Sequence, residues 1–269
     1  MKNVVGLLGG LGNQLFQYSF GKWLELQSGH PTKFDLSAFR SRPDYLGVAA
    51  LGLSLGETAD WLNRLPYPGG RYPRTARVLR TLAGPSTLWR EVDLGGLPTP
   101  LQLKTPAWYY GYWQAPSAVA ETIGALRSES LPAIMESSAP STRIAMHVRR
   151  GDMVGQQSSL DARYYRVALD RLIRANALPS AEGVTVFSDD PAWCRENLEI
   201  RAQYAPAQSA AHDLLSLSRH EFLVLSGSTF SWWAANLQER EAPTVIAPAA
   251  FTPGAVPPLD MPGWLTVAR

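Results

Sequence analysis

The sequence is nearly without cysteine: Cys194 is the single one in 269 residues. An internal disulfide is thereby excluded, and the count fits a reducing, cytoplasmic setting. An excess of charge is missing too. Lys and Arg number 25 against 23 Asp and Glu, a balance too even to gather nucleic acid by itself. No uninterrupted apolar run approaches the roughly 20 residues that cross a bilayer, which leaves peripheral association as the remaining membrane mode. The N-terminus has one lysine, then Asn3 and Gly6, without the small-residue cleavage site of a secretory signal. Internal repeats and low-complexity tracts are absent.

What is present reads as a globular chain, 45% apolar and 18% charged, with room for one large domain or two modest ones. Asn3 to Leu8 lacks polar alternation and predicts a buried strand. A helix follows from Asn13 to Gln27 on the wide apolar stripe Leu15, Phe16, Phe20, Trp23, Leu24 and Leu26. Residues 31–37 predict a second strand ending at Asp35, residues 108–113 an aromatic strand, and residues 117–130 a helix. Residues 40–106 are rich in Gly, Pro and Arg and give no clear pattern, and residues 137–142 read as a linker. Beyond it come strands at 143–152, 184–190, 221–227 and 243–251. Helices alternate with them at 161–176, after Asp190 and after Ser228. Apolar strands alternating with helices predict an α/β chain of two doubly wound, Rossmann-like domains facing a cleft. The expected limits are 1–140, 141–250 and a C-terminal tail, 251–269.

"GGLGNQLFQYSFG", residues 9–21, is a glycine-rich turn between strand and helix, the usual cradle of a phosphate. The dinucleotide fingerprint wants a third glycine where Leu15 stands, although Asp35 occupies the place of its acidic residue. Gly12, Asn13 and Gln14 at the helix start could instead grip an anion or sugar hydroxyls. A plain glycine turn accounts for the same residues.

In "RIAMHVRRGD", residues 143–152, alternation puts His147 and Arg149 on one face of a strand end and Arg150 on the other. A guanidinium there suits a diphosphate, while an Arg150–Asp152 ion pair is the bland alternative. Ser188, Asp189 and Asp190 end another strand. Their carboxylates could accept from a guanine edge, hold a metal, or cap the following helix, a part expected of Asp190 in any case. Ser228, Thr229 and Ser231 open a helix with three hydroxyls, either an anion site or simple caps.

Taken jointly, residues 9–18, His147 to Asp152, Phe187 to Cys194 and Ser228 to Trp233 resemble the family-11 glycosyltransferases, in the family's order. These are inverting enzymes that transfer L-fucose from GDP-fucose, typically to the 2-hydroxyl of a galactoside. The resemblance implies a GT-B fold with the acceptor side N-terminal and GDP held by the second half. It puts Arg149 and His147 on the diphosphate, residues 188–190 on guanine and residues 228–231 on phosphate, with Asn13 and Gln14 facing the cleft. GDP-fucose would be the donor and a glycan the acceptor, with no metal or other cofactor. Asp152 is a candidate base or an arginine's partner. Asp213 and Tyr164-Tyr165 agree more weakly. The chain departs from the pattern at Met153, at His220-Glu221-Phe222 in place of Cys-Lys-His, and at Gly227 in place of Asn. Those departures bear on the sugar and the acceptor. Other GDP-deoxysugars, a nucleotide-dependent oxidoreductase and a noncatalytic glycan-binding protein are the alternatives.

Overall fold

The computed structural model describes residues 2–56, 73–83, 89–92, 97–135, 140–155, 159–179, 183–238, 244–249, 251, 259 and 261–269. The chain divides into two units, Met1–Pro132 and Ala133–Arg269. The first contains β1 (Asn3–Gly6), α1 (Leu11–Ser28), β2 (Thr32–Asp35), α2 (Gly47–Ala50), α3 (Pro73–Ala83), β3 (Trp89–Val92), α4 (Pro100–Leu103), β4 (Trp108–Gly111) and most of α5 (Pro116–Met135). Its four strands pair in parallel in the order β2-β1-β4-β3. Because α5 continues to Met135, the division falls near its end rather than in the Ser-rich stretch expected to be a linker. Residues 136–139 of that stretch lie outside the described residues.

Aromatic packing holds α1 to the first sheet. Phe16, Tyr18 and Phe20 are fully buried on α1, as are Trp108 and Tyr109 on β4. Phe20 stacks on Trp113 with centroids 4.0 Å apart. Trp113 has a left-handed φ of 51°, a conformation costly for a bulky residue and held here by that burial.

The second unit runs β5 (Ile144–Val148), α6 (Gly151–Gly155), α7 (Ala162–Ala175), β6 (Val184–Ser188), α8 (Pro191–Asn197), β7 (Ala202–Tyr204), α9 (Ala210–Ser218), β8 (Phe222–Val224), α10 (Thr229–Leu237), β9 (Thr244–Pro248) and β10 (Leu265–Val267). All six strands are parallel, in the order β10-β9-β8-β5-β6-β7. Numbered within the unit, that is the doubly wound order whose chain direction reverses between β5 and β8, where such sheets bind ligands. One sheet face, with Ile144, Met146, Val148, Val184 and Val186, packs on Tyr164, Tyr165 and Leu172 of α7 and Cys194 of α8. The alternate residues Ala145, His147 and Phe187 line the opposite face and are also buried.

Three short strands were not legible in the sequence, and β3 is one, lying in the stretch 40–106 that gives no clear pattern. β7 has three residues at a sheet edge, too few for an alternation signal. β10 falls inside the expected C-terminal tail, and pairing of Leu265–Val267 with β9 makes that segment part of the sheet instead.

Candidate active site

The opening glycine loop serves the fold more than a ligand. Gly10 is the N-cap of α1 without a side-chain bond, and the N–H groups of Asn13 and Gln14 both return to its carbonyl. Gln14, expected to bind donor, is fully buried. Its amide donates to the carbonyls of Gly9 (2.9 Å) and Tyr45 (2.7 Å). Its oxygen accepts from the N–H of Gly47 (2.9 Å) and Val48 (3.4 Å). That uses the whole hydrogen-bonding capacity of the side chain, so Gln14 staples α1 to the start of α2 and is withdrawn as a donor-binding residue. Gln17 acts alike, accepting from Leu8 N–H at 2.9 Å and donating to the Gly111 carbonyl at 3.0 Å. Gly12 is buried in the first turn of α1. Asn13 is half-buried and its oxygen accepts from Gln114 at 3.0 Å.

Asp35, which mimics the ribose-binding acid of a dinucleotide site, is buried and engaged. The Tyr110 hydroxyl donates to its Oδ2, and Ser37 N–H to its Oδ1 at 3.0 Å. To reach Asp35, the Tyr110 ring crosses Gly6 so closely that a Cβ there would lie 2.4 Å from it. A protein ring thus covers the place where a dinucleotide's ribose would meet the acid. The oxidoreductase alternative loses its basis.

At the reversal point of the second sheet, Arg149 and Arg150 follow β5. The Arg149 guanidinium lies 2.8 Å from Asp189 Oδ2, with both side chains partly exposed. Asp189 Oδ1 accepts from the Arg150 N–H at 2.8 Å. Arg150 turns the other way, as strand parity predicts, with its guanidinium 3.8 Å from the Trp193 ring centroid and 3.2 Å from Asp190 Oδ2. Asp190 also caps α8 by accepting from Trp193 N–H at 3.1 Å, as expected. Ser188 accepts from Asp190 N–H at 3.0 Å. Residues 188–190 therefore lock two strand ends together, and both carboxylates assigned to guanine also hold arginines. Gly151 fits because its Cα passes close to this clamp: a Cβ would sit 2.6 Å from Asp189 Oδ2. Asp152 lies in the short helix α6, with its side chain outside the description.

His147 is enclosed between the Ser226 hydroxyl, 2.8 Å from Nδ1, and the Phe230 ring, with centroids 5.0 Å apart. Burial, reinforced by the Arg149 charge, pushes its imidazole down to about 3, so it is neutral near pH 7. Ser228 caps α10, accepting from Phe230 N–H at 3.3 Å, and stays half-buried beside Thr229. Ser231 does not join them. Fully buried, it shares its one hydroxyl proton between the carbonyls of Ser226 and Ser228, each 3.0 Å from Oγ, so its part is structural rather than ligand-binding. At Gly227, where the family pattern has Asn, a Cβ would lie 2.4 Å from the Phe251 carbonyl oxygen.

Between α9 and β6–β7 lies a cavity of about 260 Å³, lined among others by Thr185, Phe187, Gln203, Asp213, Ser216 and His220. Asp213 and Ser216 lie about one turn apart on α9, and His220 follows the Arg219 that ends it. Desolvation raises the Asp213 carboxyl above the ordinary range, and none of the hydrogen bonds or ion pairs among the described residues engages it. His220 is buried, and its Nδ1 must donate to the Ser216 carbonyl at 3.0 Å, since a carbonyl only accepts. Its Nε2 is then a buried acceptor with no partner. An unpartnered buried ring nitrogen is costly, and it stands beside the same cavity as the half-buried Asp213, whose desolvation the neighbouring His212 partly offsets. The sequence marked Asp213 only faintly and His220 only as a departure, because neither ends a strand.

Two parallel sheets alternating with helices, the second in the doubly wound order, define an α/β protein. Among solved structures the chain is similar to a GDP complex of Arabidopsis thaliana FUT1, a GT-B fucosyltransferase. The TM-score is 0.52 at 14% identity, covering 93% of this chain and 72% of that one. Among relatives it is 24% identical to an Escherichia coli alpha-1,2-colitosyltransferase, over 92% of this chain and 91% of that protein. It is 34% identical to the Bos taurus galactoside alpha-(1,2)-fucosyltransferase 2 over 40% of this chain, and spans about a third (34%) of that relative's length. Residues 92–253, more than half of the chain, match the model of glycosyl transferase family 11. The chain belongs to that family.

Proposed function

We propose that this chain transfers L-fucose from GDP-fucose, with inversion, to the 2-hydroxyl of a galactoside. The observation that carries the reading is the pairing of Arg149, after β5, with the half-buried Ser228–Thr229 start of α10, after the neighbouring β8. As the acceptor oxygen bonds to the anomeric carbon, the bond to the diphosphate breaks and negative charge grows on GDP. A fixed guanidinium and helix-start amides stabilise charge where it develops, without a metal. Five N–H donors leave Arg149 room for phosphate beside Asp189. Neutral His147 contributes hydrogen bonding and Arg149 the charge. Asp152 is the candidate acceptor of the hydroxyl proton.

The base is read by Asp213 in this proposal, since the carboxylates of residues 189–190 are engaged. Its carboxylate can accept from guanine N1–H and the exocyclic amine together. The span from β8 to β7 is three strand spacings, about 14 Å, comparable to an extended nucleoside diphosphate. A second donor is favoured by one observation: the colitosyltransferase similarity runs the length of both chains. The deoxysugar in that relative's name is therefore the alternative to fucose.

One set of measurements tests the reading. GDP should raise the melting temperature, in EDTA as well as without it, and NAD should not. GDP-fucose and GDP-colitose are then assayed for turnover on galactosides. Asp213→Asn should weaken GDP at least tenfold while inorganic pyrophosphate binds as before. Stabilisation by GDP with no turnover of any sugar nucleotide would return the protein to the glycan-binding alternative.

A further inference from the structure

The even charge of the whole chain conceals a strongly uneven distribution. Residues 61–90 contain Arg64, Arg71, Arg74, Arg77, Arg80 and Arg90 and no Lys, Asp or Glu. With a total of +2, the remainder of the chain is net negative. Three of these arginines belong to α3, which has no acidic residue. Arg74 and Arg77 are three apart, so their positions fall on one side of the helix, while position 80 is one turn from Ala76.

α3 also exposes apolar side chains that a surface helix normally hides. Leu82 is 81% exposed, Val78 58% and Leu79 41%, whereas Ala76 is buried and marks the side turned to the protein. Val78 and Leu82 are one turn apart, on the same face and away from Ala76. An arginine pair beside a solvent-facing aliphatic stripe is the composition of a helix that lies in a membrane interface. No helix among the described residues is long and apolar enough to cross a membrane.

We infer that α3 is a docking surface for an anionic lipid bilayer. The helix lies flat on the bilayer, with Val78, Leu79 and Leu82 entering the acyl boundary and the arginine pair among the headgroups. Charge complementarity selects this occupant. A second copy would bring an equally positive segment against the first, at a repulsive cost. A bilayer offers a continuous negative plane together with an apolar interior, matching both sides of the helix. The inference is independent of the transfer reaction.

Sedimentation with phosphatidylcholine vesicles, with and without phosphatidylglycerol, tests it on the full chain. Binding is expected only to vesicles containing phosphatidylglycerol, and it should weaken as salt rises. Arg74→Ala with Arg77→Ala should weaken it about 25-fold, from about fivefold per arginine near an anionic surface. Val78→Glu with Leu82→Glu should abolish it. Melting temperatures should hold in both variants, because Arg74, Val78 and Leu82 are exposed. Equal binding to neutral vesicles, binding to neither, or binding unchanged in both variants overturns the proposal. So does a dimer that Val78→Glu with Leu82→Glu dissociates without any vesicle binding, which would assign the stripe to a second copy.

Discussion

Asp189 holds Arg149 at 2.8 Å across the ends of two neighbouring strands, and its other oxygen takes the next backbone N–H of the same turn. The guanidinium is therefore oriented before any ligand arrives. Such a partly exposed pair adds little stability, about 1 kcal/mol or less; its value lies in position.

Arg149→Ala should leave the melting temperature nearly unchanged and lower turnover by about 10²–10³. Arg150→Ala should do the reverse. It loses the Trp193 stacking and the Asp190 contact, at about 1–2 kcal/mol, with per-molecule activity largely kept. Turnover and thermal melting on the same preparations separate the two. A folded Arg150→Ala enzyme without activity would reverse the assignment.

Gly151→Ala isolates the clamp. The added methyl meets the mobile end of the Asp189 side chain, so the carboxylate swings away rather than the backbone breaking. Stability should fall by less than about 1 kcal/mol, while turnover drops severalfold as Arg149 loses its guide. A loss of stability without any kinetic change would mean that Asp189 does not position the arginine.

Stability should decline on the acid side. The His147 imidazole sits at about 3 when folded against about 6.5 in an unfolded chain. Between these values the unfolded state binds the proton and the folded state does not. The stabilisation is thus complete above about pH 6.5 and is lost as pH falls toward 3, by up to about 1.4 kcal/mol per pH unit. His220, also lowered by burial, adds to the same limb. Denaturant titrations from pH 7 to 4 should show a shallower slope for His147→Gln. An unchanged slope would mean that the imidazole charges within the fold.

The two amides at the start of α1 should behave differently. Gln14→Ala strands the Tyr45 carbonyl and the Gly47 N–H and should cost about 3 kcal/mol. The activity of each folded molecule should be kept. Asn13→Ala, which gives up the bond from the Gln114 amide, should cost about 1 kcal/mol but lower turnover ten- to a hundredfold with GDP affinity unchanged. Equal specific activities for both variants would reduce the loop to a turn.

Much of this was legible in the sequence because it depends on local pattern. Largely apolar strands such as 144–148 and 184–188, alternating with helices, announced a parallel sheet, and Asp190-Pro191 announced its own cap. Alternation separated Arg149 from Arg150. What stayed hidden depends on long-range pairing. Gln14 and Ser231 carry the chemistry of ligand-binding residues, and only Tyr45, Gly47 and the Ser226 carbonyl reveal them as internal fasteners. The Asp213 cavity was obscured for a related reason. Its walls come from three elements, one of them the three-residue β7, and a carboxylate inside a helix gives no sign that its partner is missing.

Tyr110 gives the first unit an occupant of its own. Its ring bridges Gly6 to the Asp35 carboxylate, so a side chain of the protein fills the space beside this buried acid. Cutting the ring away, as in Tyr110→Gly, would leave a phenol-shaped hole ending in a buried acid. An apolar phenol such as p-cresol could then refill it from solution, and the chain's folding would become a dose-dependent response to a small molecule.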